Sequence, residues 1–202
     1  MEIVKYGHPC LRRKSTPLTE ISPELKATVK RMFALMYEAR GIGLAANQVG
    51  LPFRFFIVNA TADPEQPDEE MVFINPEIIR KKGSVEGEEG CLSLPELYGP
   101  VPRAEEIIVE AFDLEGQGFE MECSDLMARV VQHENDHLDG VLFIDRMDES
   151  DLPQVQPQID DFEKQHHRLQ NEGKLPSDDE INSQLDALQQ SGEVPAVDGT
   201  TA

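Results

Sequence analysis

The sequence predicts an α+β fold in which strands grouped in the middle of the chain pack against a late helix. Two observations carry this prediction. Strand-like segments follow one another without a regular helix between them, so the βαβ alternation of a parallel sheet is missing. Two segments, one early and one late, carry apolar residues at helical period.

The first helix is opened by Ser22 and Pro23, a capping side chain followed by a residue whose missing N–H costs nothing at the first helical position. Leu25, Val29, Met32, Phe33 and Met36 make one apolar stripe, which Gly41 ends. A glycine-rich turn follows. Residues 53–58, 73–79 and 107–114 read as strands, and Glu115, Gly116, Gln117 and Gly118 form a turn into an alternating strand at 119–123. The second helix starts near residues 124–126 and runs to Leu138, with Gly140 just past its end. No internal repeat is present.

The 202 residues suffice for one domain with a real core. Eighteen basic against thirty-nine acidic side chains give a net charge of −21, which repels phosphate backbones and anionic lipids, so no direct nucleic-acid or membrane binding is expected. The N-terminus lacks the blocks of a signal peptide and no stretch is apolar enough to span a membrane, which leads us to expect a cytoplasmic protein. Three widely spaced cysteines do not suit a disulfide framework, but one of them could bind a metal. Cys10 and Cys123 read as small buried residues, the latter in step with Phe119 and Met121.

Composition changes near Ser150. Residues 151–202 carry eleven acidic and three basic side chains, net −8. Ile159, Phe162 and Leu169 recur near helical period, and Ser177 with Glu180 makes a capping box before Ile181, Leu185 and Leu188. We therefore expect a catalytic domain at 1–150 and a loosely attached acidic extension at 151–202, partly helical or disordered.

The chemistry concentrates in the second helix, where His133, Glu134 and His137 form a His-Glu-x-x-His motif. Residues four apart on a helix lie one above the other, so both imidazoles can reach one ion. Leu126 and Val130 continue the same stripe toward the interior, where unpaired imidazoles would be costly. Glu134, beside the first ligand, is the natural general base for a water on the metal. A catalytic ion needs a third protein ligand. Residues alone leave this open between Cys91, in a tight turn lying before the hairpin, and an acidic residue such as Glu163 in the tail. A zinc endopeptidase and a metal-stabilised binding module are the rival readings; a carboxylate third ligand would favour the first and a closed four-ligand site the second.

Three segments, GIGLAANQVG at 41–50, EGCLSLPE at 89–96 and QHENDHLDG at 132–140, together with the opening residues 3–18, resemble the peptide deformylase family in its own order. The resemblance implies mixed or antiparallel sheets packed around a central His-Glu-x-x-His helix. It implies removal of the formyl group from the N-terminal formyl-methionine of new polypeptides, with release of formate. It assigns the metal to Cys91, His133 and His137, the oxyanion to Gln48 and the backbone N–H of Leu92, and the peptide substrate to backbone near Gly43. One divalent ion is implied, ferrous iron first, with zinc, nickel or cobalt as substitutes. The charge of such a site fits, because one thiolate, two neutral imidazoles and one hydroxide neutralise a divalent ion and leave the hydroxide nucleophilic.

Two departures stand out. Many bacterial members carry an arginine shortly after the middle motif, where this chain has Pro95 to Pro100 with Tyr98 as a candidate lining residue for the methionine side chain. Some members dock on the ribosome through a basic C-terminal helix, which the acidic extension here does not match. Finally, Asp136 is expected to pair with Arg103 behind the metal ligands.

Overall fold

The structure is a computed structural model and describes residues 1–196; residues 197–202, the end of the expected extension, lie outside the described residues. The first helix, α1, spans Pro23–Glu38 with the Ser22 side chain accepting from the Leu25 N–H, as its capping pattern predicts. Arg40 then turns into the left-handed region at φ 58° and the chain enters strand β1, Gly43–Ala45. Strands β2 (Phe55–Val58) and β3 (Met71–Lys82) follow, then a hairpin of β4 (Val85–Cys91) and β5 (Leu94–Arg103), then β6 (Glu106–Phe112) and β7 (Gly118–Ser124). Helix α2 is Asp125–Leu138, with Ser124 at its N-cap position.

The five strands β1, β2, β3, β6 and β7 form one antiparallel sheet in that order, and β4 with β5 form a separate two-stranded sheet. The α+β prediction therefore holds. Strand β2 explains why the large sheet is covered on both sides. Its four residues are all fully buried, and alternation sends Phe55 and Ile57 to one face and Phe56 and Val58 to the other. The first pair packs with Leu25, Val29, Met32 and Met36 of α1, the second with Ala128, Val131 and Leu138 of α2. Each such side chain contributes roughly 1.5–3 kcal/mol on burial.

Sequence patterning missed the β4–β5 hairpin; Cys91 ends β4, and the expected tight turn is Leu92 and Ser93, which join it to β5. Glycine, acidic residues and Pro95, Pro100 and Pro102 hide these strands from a propensity reading. They are tolerated because a two-stranded sheet consists of edges only, and a proline costs no ladder bond where its N–H would face outward.

The extension needs a correction. It contains α3, Leu152–Asn171, and α4, Asp178–Ser191, with the expected Ser177 and Glu180 capping box. Neither helix is loose. Val155 and Ile159 are buried against Leu11, Leu94, Val101 and Phe143, while Ile181 and Leu185 cover Cys10. Arg13 reaches Asp186 at 2.6 Å and Gln189 at 2.9 Å, and Val194 joins the α1 core. The apolar residues are few, but they share the inward faces of the helices, which overall composition cannot reveal.

Two outcomes follow from this docking. Ile159→Ala should lower stability by about 2–5 kcal/mol in urea unfolding, whereas a loosely attached helix would give a change within about 0.5 kcal/mol. Near α3, burial and the proximity of His166 hold His8 down at about 4 from its ordinary 6.5. The unfolded chain then binds the extra proton first, so the stability carried by neutral His8 is complete above pH 6.5 and is lost as pH falls toward 4. His8→Asn, which keeps an acceptor for the Cys10 N–H, should flatten the unfolding midpoint between pH 7 and 4.5.

Candidate functional site

Helix α2 runs through the interior with Gln132, Glu134, Asp136 and His137 buried, where polar groups left without partners are costly. Gln132 exchanges hydrogen bonds with the backbone of Ala104, accepting from its N–H at 3.0 Å and donating to its C=O at 2.9 Å. Asp136 accepts from Arg103 and from Arg146, the latter at 2.8 and 3.0 Å, so the expected Arg103 pairing is present. His133 Nδ1 meets Glu89 Oε2 at 2.9 Å. Arg103 grips the same carboxylate with two bonds of 2.9 and 3.0 Å, and Arg129 adds a third at 2.8 Å.

Cys91 and His137 approach to 3.3 Å between Sγ and Nε2, and ligand atoms of Cys91, His133 and His137 all lie within 4.8 Å of one another. The hairpin brings the thiol and α2 brings the imidazoles. With its Nδ1 bonded to Glu89, His133 has Nε2 left for the same point. One thiolate and two imidazoles are a donor set that suits zinc and ferrous iron, so the residues present fit a divalent transition metal.

The charges around this point are strongly perturbed. Burial opposes ionisation of Glu89, but hydrogen bonds with His133 and Arg103 hold it at about 2. Burial likewise opposes a charged His133, yet Cys91 and Glu89 raise it to about 10. His137 is driven well below its usual value by burial and by His133. Burial pushes Glu134 up to about 7, with His133 opposing. A divalent cation would compete with protons at these groups and favour the ionised carboxylate.

Glu134 is only 4% exposed, and its Oε2 has no hydrogen-bond partner. It lies so close to the backbone of Gly43 that a Cβ there would sit 2.5 Å from Oε1. A side chain at position 43 would therefore displace the acid. Gln48 stands in the turn Ala46–Val49; its Oε1 accepts from the Ala45 N–H at 2.8 Å, which leaves its NH₂ facing Cys91 Sγ and Ser93 Oγ, each at 3.4 Å.

These groups line a cleft of about 680 Å³ that includes Gly43, Gln48, Cys91, Leu92, His133 and Glu134. Tyr98 and Leu126 form part of its wall and are exposed, 59% and 49%. Leu126 thus does not continue the interior stripe, as its spacing suggested; it lies in the first turn of α2, beyond the core, at the cleft.

The sequence matches the family model for polypeptide deformylase over residues 1–152. The chain belongs to the polypeptide deformylase family. It is 42% identical over 175 residues to a peptide deformylase of Rhodopirellula baltica, covering 87% of each chain. It is 51% identical over 145 residues to one from Acidobacterium capsulatum, covering 72% of this chain and 85% of that one. A crystal structure of Arabidopsis thaliana peptide deformylase 1B with an inhibitor superposes with a TM-score of 0.80 at 39% identity, covering 88% of this chain and 96% of that chain. Membership makes the chain an enzyme, a metal-dependent hydrolase of the formyl group on N-terminal formyl-methionine.

Gly43, Gln48, Cys91, Leu92, His133, Glu134 and His137 of this deformylase meet at one place, whereas Glu163, the other candidate third ligand, is exposed on α3 and does not line the cleft. Glu89 and Arg129 were missed as parts of it. Arg129 could have been found, since it stands one helical turn before His133. Glu89 could not, because its distance from His133 depends on how the hairpin lies over α2.

Arg103 is buried between Glu89 and Asp136. Arg103→Ala would leave two buried carboxylates short of charge, so denaturant unfolding should show a loss of about 3–5 kcal/mol. A surface-like change below about 1 kcal/mol would contradict the network.

Proposed function

We propose that this deformylase hydrolyses the formyl amide with Glu134 as general base and acid, Cys91, His133 and His137 as metal ligands, and Gln48 and the Leu92 N–H as oxyanion donors. The observation that carries the reading is Glu134 itself. It is buried beside both histidines, at the wall of the cleft, with one carboxylate oxygen free of any protein partner.

A divalent ion held by the three ligands would supply Lewis-acid chemistry, polarising the formyl group and acidifying a water. Ferrous iron is the proposed ion; zinc, nickel and cobalt suit the same donors. Glu134 accepts a proton from the attacking water and delivers it to the departing amine, which leaves as the free N-terminus of methionine while the formyl carbon leaves as formate. The Gln48 NH₂, locked by the Ala45 bond, donates to the oxygen where negative charge grows, and the Leu92 N–H does so from the hairpin turn.

Gly43 backbone at the cleft would hold the extended peptide, and the apolar wall of Ile42, Leu126 and Val130 with Tyr98 suits a methionine side chain. The partners are formyl-methionyl nascent polypeptides in the cytoplasm. An overall charge of −21 speaks against direct contact with nucleic acid and against ribosome docking through the acidic extension.

Formate release from a formyl-methionyl peptide by anaerobically purified protein tests the reading. Glu134→Gln should retain metal while turnover falls by about 10²–10⁴. Cys91→Ala should instead lose metal content, since a ligand is removed. A metal-loaded Glu134→Gln enzyme working near the parent rate would require a different base.

A further inference from the structure

The elements that carry the two oxyanion donors come from different sheets. Gln48 follows β1 of the large sheet and Leu92 follows β4 of the hairpin. A third segment, near the N-terminus, is bonded to both. The Val4 N–H donates to the Gln48 carbonyl at 2.8 Å, and the Tyr6 N–H donates to the Ser93 carbonyl at 2.9 Å. Between them the Lys5 ammonium donates to the Leu92 carbonyl at 2.8 Å and stands at the rim of the cleft. The geometry points to residues 4–6 as a strap that sets the distance between Gln48 and the Leu92 turn, with Lys5 as its positioning residue. This rests on the assignment of Gln48 and Leu92 as oxyanion donors.

The far end of the strap is anchored. Gly7, at φ +101°, lies against His166 of α3 so closely that a Cβ would approach that side chain to 2.6 Å. Cys10 is buried under Ile181 and Leu185 of α4. The Gln189 side chain donates to the Lys14 carbonyl at 3.1 Å and the Thr16 hydroxyl at 2.7 Å. With Ile3 packed on the α1 core at one end and residues 7–16 held at the other, the strap can hold a turn in register, which a free N-terminal segment could not do. Lys5 adds a charged donor to the carbonyl of the residue whose own N–H is assigned to the oxyanion, and a shift of that turn would misplace the donor relative to the developing charge.

The test combines kinetics with amide exchange on the full-length, metal-loaded enzyme. Lys5 is exposed, so its replacement leaves the core untouched. Lys5→Met should lower kcat about tenfold with KM, metal content and thermal midpoint at parental values, and Lys5→Arg, which keeps a charged donor, should restore most of the rate. The Val4 and Tyr6 amides of the parent should exchange as slowly as those of the β4–β5 ladder. Parental kcat in Lys5→Met, a loss of rate matched by loss of metal, or free exchange at both amides would overturn the strap. Failure of the parent enzyme to release formate would instead overturn the oxyanion assignment, and the strap would then stand or fall on exchange alone.

Discussion

The rest of the structure depends on one constraint: a helix that carries two histidines, a glutamate and an aspartate lies inside the protein. Taking such groups out of water is expensive unless each is paired. The chain meets this with a relay that runs buried from His133 through Glu89 and Arg103 to Asp136 and ends at the half-exposed Arg146. The relay has a geometric consequence. Arg103 ends β5 and Glu89 belongs to β4, so satisfying the charges of α2 also fixes the hairpin over the helix.

That placement is what makes a metal site possible. The hairpin is a two-stranded sheet with little apolar surface of its own, and such a unit is marginal in water. It is held by the ion pairs on one side and by packing of Leu94, Leu97 and Val101 with Phe143 and Ile159 on the other. Cys91 is then delivered to the imidazoles from a different sheet. Three atoms beside it, Glu134 Oε2, His137 Nδ1 and Asn47 Oδ1, have no protein partner. Unsatisfied polar atoms concentrate where chemistry is done, because pairing them would remove the groups the reaction needs.

The C-terminal helices extend this logic outward. They carry seven acidic against two basic side chains, yet their few apolar residues close over the N-terminal segment and the hairpin core. Charge on the outer face keeps the helices soluble without weakening the inner contact. Both chain ends therefore bear on the cleft, one by direct bonds to the turns at Gln48 and Leu92 and the other by holding that first segment in place.

Much of this was legible in the residues themselves. Helix α2, its His-Glu-x-x-His motif, the helix α1 with its Ser22 cap and the strand pairs flanking Gly116 follow from local rules, since capping, period and turn chemistry act within a few residues. The motifs also located Cys91, Gln48 and Gly43, though not the crowding of Gly43 by the side chain of Glu134, ninety-one positions away. The hairpin, the roles of Glu89 and Arg129, the outward position of Leu126 and the firm docking of the extension were not legible. Each depends on which surfaces meet after the chain has collapsed. Strand pairing between proline-rich edges and the pairing of a buried carboxylate are settled by neighbours distant in sequence, and no local propensity encodes them.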